Sequence, residues 1–282
     1  MPRFRLMVLV SLAMLAFAGN SLLCRMALKH TSIDAASFTT VRLVSGACML
    51  WLVVRVKGSS GGAGNWLSAA ALFVYAAAFS FAYISMSAAT GALLLFGAVQ
   101  ATMIGYGVYQ GERLRTPQLA GFALALAGLV ALMLPGLVAP SLASSLSMLS
   151  AGVAWGVYSL RGKGAANQVA ADPTRVTAGN FIRAVPMALV LSLLMFRHCS
   201  LDPAGIGFAV LSGALASGLG YAIWYQALPA LKATHAATVQ LSVPVIAAIG
   251  GVAFIGEEVS LLLVLASCAI LGGIALVILE KK

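Results

Sequence analysis

Five polar side chains in this sequence stand deep inside long apolar runs: Asn20, Arg42, Gln100, Arg183 and Gln240. An unpaired amide in an apolar medium costs about 2–7 kcal/mol, so each must face protein or a wet cavity. Arg42 and Arg183 lie some way into their runs, roughly 10 Å at 1.5 Å per helical residue. At that depth a guanidinium either snorkels to the headgroup level or pairs with a carboxylate, from Glu112, from Glu257 or from a bound solute. Aromatics accompany them at helical spacing. Tyr75, Phe79 and Tyr83 repeat every four residues, Trp155 and Tyr158 are three apart, and Tyr221, Trp224 and Tyr225 stand at i, i+3 and i+4. Each set shares one face of a helix. Aromatics of an interfacial belt belong at helix ends, which suits Tyr83, Tyr158, Trp224 and Tyr225 but not Tyr75. The chemistry open to these residues is recognition: aromatic walls for an apolar or aromatic ligand, with a few polar groups fixing its orientation.

Groups for bond-making chemistry are absent from the runs. Asp34, Glu112, Asp172, Asp202, Glu257, Glu258 and Glu280 all fall at run ends or in connections, and of the histidines only His235, at the start of the ninth run, reaches a span. An embedded enzyme requires a convergent His/Asp/Glu/Cys set, and a channel requires a charged or carbonyl-lined filter; neither is visible. Cys24, Cys48, Cys199 and Cys268 follow no metal-ligand spacing, so they read as small apolar residues, with no metal, cofactor or disulfide framework expected. The lack of a carboxylate within a run also favours gradient-driven movement over a proton relay.

The elements that position these residues follow from composition. The chain is 61% hydrophobic and 9% charged, with a mean hydropathy of +1.01, against roughly 25% charged residues in soluble domains. Such a chain cannot cover itself with polar surface, and lipid is the solvent in which it need not. Its net charge of +10 comes from scattered residues, not from the clustered footprint of a nucleic-acid binder. A bilayer core of about 30 Å takes about 20 apolar residues as helix. Ten such runs are present: 6–24, 35–54, 66–86, 90–109, 117–134, 142–160, 176–196, 204–227, 234–255 and 260–279. If they alternate from a cytoplasmic N-terminus, the inner side carries Arg3, Arg5, Arg55, Lys57, Arg113, Arg115, Arg161, Lys163, Arg175, Lys232, Lys281 and Lys282. The outer side carries Arg25, Lys29 and Arg197. Cationic residues favour the cytoplasmic side, so both termini are expected there.

The two halves of the chain echo each other. Ala18 to Arg25 (AGNSLLCR) aligns with Ala154 to Arg161 (AWGVYSLR), Arg42 with Arg183, and Thr90 to Gln100 (TGALLLFGAVQ) with Thr234 to Pro244 (THAATVQLSVP). Gly111-Glu112 and Gly256-Glu257 close the fourth and ninth runs. Five runs per repeat is an odd number, so residues 141–282 form a five-helix repeat inverted relative to residues 1–135, within one membrane domain. Inverted repeats place a solute site at their interface near the midplane. The repeat also bears on the N-terminus, where Arg3, Arg5 and Ala16-Phe17-Ala18 would suit a cleaved signal peptide. The first run has an internal counterpart at 142–160, so it is expected to be retained.

These features resemble the drug/metabolite transporter superfamily, and Arg42, Arg183 and the Trp155-Gly156 pair resemble its EamA-type branch. Within it the stretch Tyr83 to Gly91 (YISMSAATG) and Gln100 to Met103 is most similar to bacterial aromatic amino-acid exporters of the YddG type. The resemblance implies an all-α integral membrane protein of the inner membrane, exporting amino acids by alternating access through a cavity between the repeats. Multidrug or other metabolite export and a structural scaffold are the alternatives. The branch commonly has a proline where this chain has Gln100. The cavity is expected to draw on Asn20, Tyr75, Phe79, Tyr83, Gln100, Trp155, Tyr158, Tyr221, Trp224, Tyr225 and Gln240. Inversion puts Asn20, Phe79 and Tyr83 toward the outer mouth, and Trp155, Tyr158, Trp224 and Gln240 toward the cytoplasmic one. Pro186 and Pro244 are expected to interrupt the seventh and ninth helices, glycines 213, 218 and 220 to loosen the eighth, and helices 5 and 10 to act as scaffold or homodimer surface. Solute and membrane lipid are the expected partners, with no nucleic acid.

Overall fold

A computed structural model describes residues 2–58, 64–111, 115–133, 140–166, 172–231 and 239–279. Glu112, Arg113, Lys232, His235 and Glu280, each invoked above, lie outside the described residues. The described chain is helical, with no strand among those residues. In chain order the helices are α1 (Arg3–His30), α2 (Ala35–Val56), α3 (Trp66–Tyr83), α4 (Ala88–Tyr109), α5 (Thr116–Met133), α6 (Leu142–Ala166), α7 (Pro173–Leu194), α8 (Pro203–Ala227), α9 (Ser242–Ile255) and α10 (Leu261–Leu279). α1 to α4, α7 and α8 are long and apolar enough to cross a membrane; α5, α9 and α10 are apolar but contribute shorter stretches. α6, at 25 residues, is as long as α8 but carries Ser144, Ser145, Ser147, Ser150 and Ser159, which dilute its apolar character.

Local chemistry sets the helix ends. Asp34, Asn65, Ser87, Asp172 and Asp202 are N-caps whose side chains accept the first free backbone N–H groups of α2, α3, α4, α7 and α8, as capping requires. Gly111 and Gly256, just past α4 and α9, have φ of 92° and 66°. That left-handed conformation penalises any Cβ, which explains why both Gly-Glu pairs sit where they do. Pro186 lies inside an unbroken α7, while in the ninth run Val239 and Gln240 are helical, the helix breaks at Leu241, and Pro244 lies in the first turn of the segment that resumes at Ser242, where a missing N–H costs little. Pro186 does not interrupt its helix as the sequence suggested, whereas the ninth run is interrupted at Leu241, three residues ahead of Pro244. Further irregularity falls elsewhere: α8 is a π-helix over Leu211–Leu219 and α9 over Gly251–Ile255.

The packing pairs α2 with α7, α5 with α10, α3 with α6, α1 with α8, α4 with α6, α1 with α9 and α4 with α9, and α2 and α3 also contact α8 and α7 respectively. For these contacts, exchanging every helix for the one five places along returns the same pairs; the lesser contacts of α4 with α5 and α10, and of α1 with α3 and α4, have no comparable counterpart among the described residues. The crossings are close where small residues meet. A Cβ on Gly121 would press on the Gly273 carbonyl, and one on Gly273 would collide with the Gly121 carbonyl, so α5 and α10 lock onto each other. Apolar side chains face outward over most of the length, among them Leu189, Val190, Leu193, Ile249 and Phe254. The exposed aromatics Trp51, Trp66, Tyr106 and Tyr109 sit at the C-terminal end of α2, the N-terminal end of α3 and the C-terminal end of α4, with the Arg55 guanidinium 5.0 Å from the Trp51 ring centre. Helix ends are where belt aromatics belong, and the aromatics singled out from spacing are not among these exposed ones.

Candidate functional site

All eight of those aromatics are buried, and most of them join into one connected array. Ring centres run from Tyr83 to Phe79 (4.7 Å), Phe79 to Tyr75 (5.4 Å), Tyr75 to Trp155 (4.8 Å) and Trp155 to Tyr158 (5.5 Å). Trp155 also meets Tyr221 at 4.8 Å, and Tyr221 meets Phe181 at 5.8 Å. Phe17 on α1, which spacing did not flag, touches Trp155, Tyr221 and Trp224 edge-on. Spacings of 4.5–7 Å with tilted or edge-to-face rings are the favourable aromatic geometry. The array starts at the C-terminal end of α3. It ends at Tyr158, whose hydroxyl accepts from Asn180 Nδ2 at 3.3 Å, while Asn180 Oδ1 accepts from the Asn65 backbone N–H at the N-terminal end of α3. The column therefore follows α3 for its whole length.

At its middle, Phe17, Asn20, Ser21, Tyr75, Phe79, Leu95, Phe96, Trp155 and Tyr221 enclose a cavity of about 10 Å³, counting the space open to water centres. That is room for about one water, far below the ~300–1,000 Å³ of ordinary ligand pockets. The hollow expected between the halves is thus only this small space. Asn20 and Phe79, expected near one mouth, meet Trp155, expected near the other, around this single space. Of the remaining predicted residues, Tyr83 and Tyr158 terminate the column and Trp224 packs behind Phe17. Tyr225 lies beside Gly162 of α6. Gln100 is buried with Nε2 unpartnered, and Gln240 is buried just ahead of α9; none of these lines the cavity.

A polar cluster backs the cavity. Tyr75 Oη accepts from Asn20 Nδ2 at 3.2 Å and from Arg42 Nη2 at 3.1 Å. Ser212 Oγ donates to Asn20 Oδ1 at 2.6 Å, and Ser217 Oγ accepts from Arg42 Nε at 3.2 Å. The π-turn makes this pairing work. Residues five apart diverge by about 140° around an α-helix of 3.6 residues per turn, but are hydrogen-bonding neighbours in a π-helix, so Ser212 and Ser217 turn to the same side. Gly213 lets them approach. A Cβ there would collide with the Arg42 carbonyl oxygen and Ser45 Oγ. Glycines 213, 218 and 220 of α8 thus serve close packing.

Arg42 is 1% exposed, so it does not snorkel. Its guanidinium lies 5.2 Å from the Tyr75 ring centre and 4.9 Å from that of Phe79, within cation–π range. Arg183 sits differently: it is partly buried and donates to the Gly179 carbonyl at 2.9 Å. Glu257 pairs with neither. Its partner is Arg25, at 3.1 Å, with side chains 12% and 8% exposed. Arg25 also donates to the Tyr83 and Ile84 carbonyls, and Glu257 accepts from the Ala88 N–H. One ion pair thereby ties the C-terminal ends of α1, α3 and α9 to the start of α4. Beside it opens a mixed-charge hollow of about 400 Å³ lined by Arg25, Lys29, Ser87, Thr90, Glu257 and Glu258, among others.

A second tie joins the α1–α2 and α7–α8 connections. Asp34 accepts from the Ser200 N–H, and Asp202 accepts from the Ser32 N–H. Partial burial pushes the Asp34 carboxyl up, but hydrogen bonds from Ser37, Ser200 and Ala36 outweigh that and hold it below the usual carboxylate range. Asp202 is held low chiefly by the Gly205 N–H. Among the described residues no His/Cys/Asp/Glu group is arranged to hold a metal ion, and the four cysteines are free.

Known proteins share this architecture. The chain is 55% identical over its whole length to an uncharacterized protein of Pseudomonas aeruginosa, covering 97% of it. It is 35% identical over 126 residues to the threonine/homoserine exporter RhtA of Salmonella typhimurium, spanning 44% of this chain and 41% of the exporter. An uncharacterized transporter of Archaeoglobus fulgidus is 24% identical, over 86% of each chain. A solved crystal structure superposes with a TM-score of 0.67 over 98% of both chains at 19% identity, which establishes a shared fold. The EamA-like transporter family model matches residues 142–279. These matches show an EamA-like transporter domain over residues 142–279, in a chain whose apolar helices make it a multi-pass membrane protein.

Proposed function

We propose that this chain exports amino acids, hydrophobic and aromatic ones among them, across a bacterial inner membrane, by alternating access through a cavity between two inverted five-helix halves with both termini cytoplasmic. The transporter-family match over residues 142–279 and the partial likeness to an exporter support a small-solute exporter over an enzyme or scaffold. The observation that carries the finer reading is the small central cavity. It draws its walls from both halves, through Phe17, Asn20, Tyr75 and Phe79 on one side and Trp155 and Tyr221 on the other. A space built from both halves opens only if they move relative to each other, which is what alternating access demands. The five-place symmetry of the helix pairing favours two repeats. The exposed aromatics and Arg55 at the ends of α2, α3 and α4 favour a common interface there.

Counterflow in proteoliposomes tests this. Vesicles loaded with unlabelled amino acid should accumulate the labelled one transiently, for at least one member of a panel including threonine, leucine, phenylalanine and tryptophan. Accumulation of an amphipathic cationic dye with no response to any amino acid would replace the reading with multidrug export.

A further inference from the structure

Arg42 is a charge without an answer. It is 1% exposed. Its Nε and Nη2 donate to hydroxyls of Ser217 and Tyr75, while Nη1 is buried with no protein acceptor among the described residues. No carboxylate among the described residues pairs with Arg42; Glu257, one of the acidic residues proposed for it, is taken by Arg25. Burying a cation is costly unless it is paired and fully hydrogen-bonded, and native structures leave few buried donors unsatisfied. A purely structural arginine would have its fork filled. This one is met by two neutral hydroxyls and two ring faces, those of Tyr75 and Phe79. The same two rings line the central cavity. The guanidinium therefore stands directly behind the cavity wall, and the groups between it and the cavity are side chains that can rotate.

We propose that Arg42 is the anchor for the carboxylate of the transported solute, which makes the substrates of this chain carboxylates, α-amino acids in their zwitterionic form, and excludes amines and amides of the same side chain. This rests on the export reading above. The Tyr75 hydroxyl holds the place of one carboxylate oxygen on Nη2 while the cavity is contracted. When the cavity opens, the solute's carboxylate takes Nη2 and the free Nη1 together, the bidentate geometry to which a guanidinium is matched. The counter-charge is thus supplied by cargo, and the side chain of the amino acid is left to the aromatic column.

The test is competition in the counterflow assay with the full chain. For a transported amino acid, its amide and its decarboxylated amine are added as competitors to the wild type, to Arg42→Gln and to Arg42→Lys. In the wild type the amino acid should compete at least tenfold better than either analogue. Arg42→Gln should raise KM for the amino acid at least tenfold and abolish the preference over the amide. Arg42→Lys, which keeps the charge but lacks the fork, should recover part of it. Equal competition by amide and acid in the wild type overturns the anchor while leaving amino-acid export intact, and so does an Arg42→Gln variant that retains the preference. Absence of counterflow for every amino acid overturns both. If Arg42→Gln does not fold, the wild-type competition series still decides.

Discussion

Tyr75 is the residue on which the polar cluster turns, because its hydroxyl accepts from two buried donors at once. Removing it strands both Asn20 Nδ2 and Arg42 Nη2. Each stranded donor costs about 1–3 kcal/mol in a protein interior, although within membranes measured values average nearer 0.6 kcal/mol because other partners are found. With Arg42 already short of one partner, little compensation is at hand. Tyr75→Phe, which keeps the ring and its aromatic contacts, should lower stability by about 1–3 kcal/mol, read as a lower Tm in detergent. An unchanged Tm would mean the hydroxyl is dispensable to the cluster. Spacing along the sequence marked Tyr75 as out of place for a belt, and depth marked Arg42 as unusual. It could not pair them, since a 33-residue separation carries no information about which helix faces meet.

At the scale of the element, α8 decides whether the cluster forms. Its π-turn brings Ser212 and Ser217 to the same side, and Gly213 presses that side onto the backbone of α2. Gly213→Ala should therefore destabilise by overpacking, by about 1–3 kcal/mol, and should also impair transport by moving Ser217 off Arg42. Gly207, on the same helix, faces open space. Gly207→Ala should be neutral or stabilising by up to about 1 kcal/mol, the helix propensity difference. Paired thermal melts of the two variants separate the mechanisms; equal behaviour would show that the close approach at Gly213 is relaxed in solution. The glycines of α8 were visible as a cluster, but a π-turn is not, because it depends on what the helix packs against.

At the scale of the whole molecule, the Arg25–Glu257 pair joins four helix ends across both halves. In the proposed orientation it closes the outer side. Removing one partner leaves the other charge largely buried and uncompensated, a change that commonly costs about 3–5 kcal/mol at buried pairs and should shift the population toward outward opening. Cys24, fully buried one residue before Arg25, reports it. In a background with Cys48, Cys199 and Cys268 replaced by serine, Cys24 should be protected from an impermeant maleimide added outside, and Arg25→Gln should speed its labelling at least tenfold. Protection unchanged by Arg25→Gln would show that the pair does not govern closure.

The sequence by itself determined the solvent, the helices and the shortlist of buried groups. Apolar runs with few charges have no stable alternative to helices in lipid, and helical spacing puts Tyr75 with Phe79, and Trp155 with Tyr158, on shared faces. The five-place echo between halves was equally legible, because it is a property of order along the chain. Only the tertiary structure decided which faces meet. It drew Phe17, Ser212 and Ser217 into the centre, took Tyr83, Tyr158 and Trp224 away from the belt, and gave Glu257 to Arg25 instead of Arg42. It also drew Asn20, Phe79 and Trp155 to one cavity. The physical reason is that a partner contributed by another helix is selected by packing and close backbone approach, which depend on how helices cross and not on the spacing within any one of them.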